Sequence, residues 1–194
     1  MFEYIQGKLV EKTPTYAVID CSGLAYLLHI SLNTFSQIPD HERCLLFTHL
    51  VVREDAHVLY GFATKAERET FRMLINVSGV GAGTARMILS SLTTHEIAEA
   101  VLSNNVAAIK RVKGVGDKTA QRIIIDLKGK FDSAQISPEL FVGVHNTVRS
   151  EALTALTLLG FARSVSEKAM DKVLKSNGSD LSVEELIKLT LKTL

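Results

Sequence analysis

The tripeptide Gly-Val-Gly occurs twice, at 79–81 and at 114–116, and the sequence around it repeats at a fixed offset of 35 residues. Leu74 corresponds to Ile109, Val77 to Val112, Thr84 to Thr119, Ala85 to Ala120, Ile88 to Ile123 and Leu92 to Leu127, without a gap. Apolar residues at helical spacing precede and follow each copy. The pattern is therefore a duplicated helix–turn–helix unit, and two copies are too few for a solenoid.

A G-x-G invites three readings. A dinucleotide fold needs it directly after a strand, with an acidic residue about 20 positions on; here a helix precedes both copies. The phosphate loop of NTPases needs G-x-x-x-x-G-K-[ST], which the chain lacks. The third reading is a hairpin between two helices. Its glycines reach positive φ and let an anion approach the backbone. The following helix then presents its free N–H groups and the positive end of its dipole. Such a site holds phosphate without reading base identity. Val80 and Val115 would pack inward and pin each turn. One copy alone is equally well a plain helix reversal.

Charge separates these readings. The chain has a formal net charge of +1, but it is segregated. Cut at 63/64 and 131/132, the three parts carry −3, +5 and −1, and the basic middle part contains both turns. A basic segment of this kind points to a polyanion partner. Lys110, Arg111, Lys113, Lys118 and Arg122 surround the second turn. Together these features predict binding to the DNA backbone.

The first 63 residues read as strands. Phe2 to Val10 alternate around Gly7, a candidate bulge. "YAVIDC" at 16–21, "AYLLHI" at 25–30, "CLLFTHLVV" at 44–52 and "HVLYGF" at 57–62 follow, with "SG" at 22–23 as a turn. Five short strands suit a small closed barrel, because closure removes exposed edges. The segment "LNTFSQIPDHE" would bridge strands three and four as a short helix or loop. Helices are expected over 66–77, from Thr84 onward, and over 94–105 with Thr94 as N-cap. Residues 132–148 read as a linker. Residues 149–194 give three short Leu-rich helices, with Gly160 and Gly178 as stops and Ser164 and Ser182 as N-caps. The expected division is 1–63, 64–131, the linker, and 149–194: an α+β chain of barrel, tandem hairpins and three-helix bundle.

Cys21 and Cys44 form no C-x-x-C pair and read as reduced thiols. The charged, alternating N-terminus is unlike a signal peptide, and no apolar run approaches the roughly 18 residues of a membrane span. A cytoplasmic, soluble protein without cofactor or metal is expected.

"GVGAGTA", "GVGDKTA" and "VVREDAHVLYGF", with a short C-terminal helical bundle, make the chain resemble the RuvA family over its whole length. These are the Holliday-junction-binding subunits of bacterial branch-migration machines, in recombination and DNA repair. The resemblance implies a barrel of the oligonucleotide-binding (OB) type, a double hairpin domain and a mobile three-helix domain. It also implies a fourfold-symmetric homotetramer, sometimes two stacked as an octamer, binding four-way DNA. It further implies docking of the RuvB ATPase motor on the third domain and sharing of the junction with the RuvC resolvase. On this likeness the DNA-binding set is Gly79, Val80, Gly81, Gly83, Thr84 and Arg86 of the first hairpin. The second hairpin adds Gly114, Val115, Gly116, Lys118, Thr119 and Arg122. Glu54 and Asp55 match an acidic pin that projects toward the junction centre. Leu156, Leu159 and Phe161 match the apolar surface that holds the motor. The family often carries lysine where this chain has Gly83, and a basic residue at Asp117. The first hairpin should therefore rely on backbone amides and neighbours such as Arg86.

A DNA glycosylase or nuclease is the competing class, since some glycosylases carry a similar hairpin and use its lysine, a role Lys118 fits. They need a catalytic Asp about 18 residues further on. Position 136 is Ile; Asp132 lies in the expected linker and Asp126 within a helix. A structural adaptor without DNA affinity is a third class. No Ser–His–Asp, Cys–His or clustered-carboxylate constellation stands out, so the expectation is a scaffold and not an enzyme.

Overall fold

The computed structural model describes residues 2–40, 43–132, 148–177 and 181–193. The chain divides into two compact units, residues 1–142 and 143–194.

In the first unit β1 (Tyr4–Lys12), β2 (Tyr16–Cys21), β3 (Leu24–His29), β4 (Arg43–Val52) and β5 (His57–Phe62) close a barrel in the order β1-β2-β3-β5-β4. All pairings are antiparallel except β3 with β5, which meet in parallel at His29 and Tyr60. This is the small closed barrel that the strand count suggested, of the OB type that the resemblance implied. Alternation fills it: Ile5, Leu9, Ala17, Ile19, Leu28 and Leu46 point inward and are buried. Ser22 and Gly23 both have positive φ, which suits the two-residue turn between β2 and β3. The register shift in β1 falls between Leu9 and Glu11, not at Gly7. Gly7 serves a different need: a Cβ there would overlap the Asp20 carbonyl of β2.

Helix α1 (Leu32–Gln37) fills the connection from β3 to β4. Ser31 caps it, accepting from Thr34 N–H at 2.9 Å. Then come α2 (Lys65–Ile75), α3 (Ala82–Ser91), α4 (Thr94–Leu102), α5 (Val106–Lys110) and α6 (Asp117–Asp132). Their shared core runs from Phe71 and Leu74 through Ile88, Leu89, Ile97 and Val101 to Ile109, Ile123 and Leu127. Helix α3 starts at Ala82, ahead of the expected Thr84, because Gly81 is already its N-cap. Thr93, not Thr94, caps α4, since only Thr93 has a glutamate three residues on; Glu96 closes the capping box.

Phe71 on α2 joins the helices to the barrel, with ring centroids 4.9 Å from Tyr60 and 5.0 Å from Phe62. Arg68 lays its guanidinium against Glu3 at 2.8 Å and Glu69 at 3.1 Å. Glu67 accepts hydrogen bonds from the Ser31 and Thr34 hydroxyls, and Asn33 donates to the Leu89 and Leu92 carbonyls at 2.6 and 3.0 Å. Helix α1 is thereby fastened to both α2 and the end of α3.

In the second unit α7 (Val148–Leu158), α8 (Arg163–Asn177) and α9 (Val183–Leu191) pack around Leu153, Leu156, Met170, Val173 and Leu186. Gly160, at φ 97°, ends α7 as expected. Phe161 N–H donates to Leu156 O and Gly160 N–H to Thr157 O, the paired bonds of a Schellman stop. Ser182 and Glu185 form the expected capping box. Ser164 lies inside α8, which begins one residue earlier, so it is not the cap. Gly178 and residues 133–147 of the expected linker lie outside the described residues; Asp132 closes α6 and Val148 opens α7.

Candidate nucleic-acid interface

The two Gly-Val-Gly turns have the same hydrogen bonds. In the first, Val77 N–H donates to Leu74 O at 3.0 Å, Val80 N–H to Val77 O at 3.0 Å and Ala85 N–H to Gly81 O at 2.9 Å. In the second, the partners 35 residues on repeat the pattern: Val112 to Ile109 at 3.2 Å, Val115 to Val112 at 3.1 Å and Ala120 to Gly116 at 2.9 Å. Gly79 and Gly114 have φ of 89° and 87°. Only this first glycine of each turn is left-handed. Gly81 is extended at φ −82° and caps α3 without any side-chain hydrogen bond. The leading amides of α3 therefore meet no cap from their own N-cap residue and face outward past exposed Gly81 and Gly83. Val80 and Val115 are buried at 5% and 6% exposure and pin the turns, their own N–H groups held by the Val77 and Val112 carbonyls.

The charged neighbours are unequal. Lys118 and Arg122 are exposed on α6, while Thr84 and Thr119 are half-buried. Lys118, Thr119 and Arg122 line one face of a groove of about 450 Å³, with Ser78 and Gly79 of the first turn on the other. The groove thus brings both hairpins together. Lys110 instead pairs with Asp117 at 2.7 Å. Arg86 is committed to the barrel, donating to the Thr15 carbonyl at 3.0 Å and approaching His29 Nδ1 at 3.4 Å. Burial, and then the Arg86 charge, hold the His29 imidazole below its ordinary pKa. Its neutral ring is the one that can accept from Arg86.

Glu54 and Asp55 form the tip of the β4–β5 hairpin, which Arg53 N–H closes onto Ala56 O at 2.9 Å. Both are exposed. In the second unit Leu156 is fully buried and belongs to the bundle core. Leu159 and Phe161 are 61% and 36% exposed; beside them Leu158, at 84%, and Val165, at 52%, widen the apolar surface. Sequence reading passed over Leu158 and Val165, although their neighbours in the "LLGFARSV" stretch were in view.

Sequence reading also missed Glu67. It is 3% exposed, and burial pushes its carboxyl above the usual carboxylate range, against the opposing pull of the Ser31 and Thr34 hydroxyls. Its partners lie more than 30 residues away, so no local pattern announces it. Among the described residues no group of three His, Cys, Asp or Glu side chains could hold a metal ion, and no helix is long and apolar enough to cross a membrane.

Three family models tile the chain. Residues 1–61 match the RuvA N terminal domain, 71–129 the SAM-like helix-hairpin-helix tandem and 147–194 the RuvA C-terminal domain. Among curated proteins, the Holliday junction branch migration complex subunit RuvA of Christiangramia forsetii is 52% identical over 194 residues, covering all of both chains. The subunit of the same name from Cytophaga hutchinsonii is 46% identical across 99% of each chain, and that of Bacteroides fragilis 47% identical across all of each. With barrel, paired hairpins and terminal bundle in the order of these models, and such identity end to end, the chain belongs to the RuvA family.

Proposed function

We propose that this chain is the non-catalytic DNA-binding subunit of a branch-migration complex, holding a Holliday junction open while a partner ATPase of the RuvB type supplies the work. The observation that carries this is the pair of hairpins with matching hydrogen bonds, the first turn meeting helix α6 of the second hairpin in one groove flanked by Lys118 and Arg122. Two equivalent sets of main-chain donors at fixed separation suit two phosphates of one duplex arm, and they suit any sequence.

Gly79, Gly81, Gly83, Gly114 and Gly116 give access to the amides, with Val80 and Val115 packed beneath to pin the turns. Thr84, Thr119, Lys118 and Arg122 add side-chain contacts. Arg86, bound to the barrel, orients the first hairpin. Glu54 and Asp55 repel phosphate at the hub of a homotetramer, and so favour an open cross over a misplaced duplex. The exposed Leu159 and Phe161, supported from beneath by Leu156, dock the motor. The RuvC resolvase shares the junction. Barrel (1–63), hairpins (64–131) and bundle (149–194) divide this labour, and the complex works in the cytoplasm.

The test is a gel shift comparing a synthetic four-way junction with linear duplex, alongside light scattering. Preferential binding of the junction by a species of four chains is expected. Equal affinity for both DNAs overturns the reading.

A further inference from the structure

We infer that Asp117 is an internal competitor for phosphate: it holds Lys110 in the free protein, releases it when a DNA strand arrives, and so limits the grip of the second hairpin. The inference rests on the DNA-binding reading above and adds a residue to it that weakens binding.

The two hairpins share a backbone but not a charge pattern. Where the second carries Lys110, Arg111, Lys113, Asp117 and Lys118, the first has Ile75, Asn76, Ser78, Ala82 and Gly83. The first hairpin can attract phosphate only through amides and the uncharged Thr84 hydroxyl, and nearly all salt-dependent attraction falls to the second. Only there does a carboxylate stand among the cations.

Its position makes it a competitor. Lys110 is the last residue of α5 and Asp117 the first of α6, so the 2.7 Å bridge spans the turn that joins them. Asp117 lies in the first turn of α6, where the dipole and the leading amides favour negative charge, as they would favour a phosphate. Lys113, Lys118 and Arg122 make no ion pair among the described residues. Both partners of the bridge are about half-exposed, at 54% and 64%. An exposed pair of this kind is weak, so an incoming strand can open it. After opening, Lys110 faces phosphate while Asp117 still repels it. A scaffold whose DNA arms must slide gains from such a limit, because a strand held by every cation would resist movement.

Binding of the full-length chain to a synthetic four-way junction, titrated over a series of salt concentrations, tests this. Asp117→Asn should tighten binding about fivefold at low salt and steepen the log–log salt dependence by about 0.9, since no carboxylate is then left to take up a cation when Lys110 meets its phosphate. In a Lys110→Ala background the same substitution should gain clearly less than that, because it then relieves only the repulsion between Asp117 and the strand and frees no cation. An unchanged affinity for Asp117→Asn, or an equal gain in both backgrounds, overturns the inference and leaves the scaffold reading intact. Failure of the unsubstituted chain to bind the junction overturns both.

Discussion

At the scale of single residues, the two glycines of one turn do separable jobs. Gly79 is left-handed, so Gly79→Ala should cost roughly 1–2 kcal/mol of stability even though a Cβ there meets no atom within 4 Å. Gly81 is extended and also opens onto empty space. On the proposed reading, Gly81→Ala should therefore leave the thermal midpoint nearly unchanged while reducing junction affinity, because the new methyl stands where that reading brings a strand. Loss of stability in both variants, or in neither, would contradict that division. Glu67 gives a pH signature of unusual sign. Its carboxyl is raised in the folded state, so the native chain binds more protons than the unfolded one between the ordinary carboxylate range and the raised value. Stability should fall as pH rises through that window and level off above it. Glu67→Gln removes the charge, keeps one of the two acceptor oxygens and should flatten this part of the curve. Glu67→Ala would leave two buried hydroxyls without their acceptor, at about 1–3 kcal/mol. Denaturant midpoints measured across pH for the three proteins distinguish these outcomes.

At the scale of elements, the hairpin tip and the helix ends tell different stories about what sequence can reveal. Barrel strands and hairpin helices were readable because alternation and 3.6-residue periodicity are local signals, and the offset of 35 residues supplied an internal control. Caps slipped by a residue where two hydroxyls stood side by side, as at Thr93 and Thr94; the glutamate at 96 decides between them. The role of Gly7 was out of reach because its reason, the Asp20 carbonyl, lies on the next strand. Arg86 was expected to support the first hairpin on DNA; its bond to the barrel was out of reach because its partner Thr15 is 71 positions away. The acidic tip was legible as a turn, but its meaning came only from family likeness. On the proposed reading, replacing Glu54 and Asp55 by Gln and Asn should preserve or raise affinity while lowering the preference for four-way over linear DNA. A collapse of affinity in competition gel shifts would argue instead that the tip is an attractive contact.

At the scale of the whole molecule, the chain consists of two units with separate cores. Removing residues 149–194 takes away only the second of these. The remainder should fold, bind four-way DNA with unchanged affinity, and fail to stimulate the ATPase or support migration. Migration by the shortened chain would refute the assignment of motor docking to the bundle. Leu159→Ala with Phe161→Ala should reproduce the motor defect without unfolding, whereas Leu156→Ala should destabilise the bundle by about 2–5 kcal/mol as a core truncation.

The bonds from Ser31, Asn33 and Thr34 into α2 and α3 carry one more implication. Because that clasp is made within one chain, the span from the carboxylate tip to the amide-lined turns is a fixed gauge, cast before any nucleic acid arrives. On the proposed reading a branched substrate must match the calliper, and loosening the clasp should blur the measurement long before it unfolds the protein.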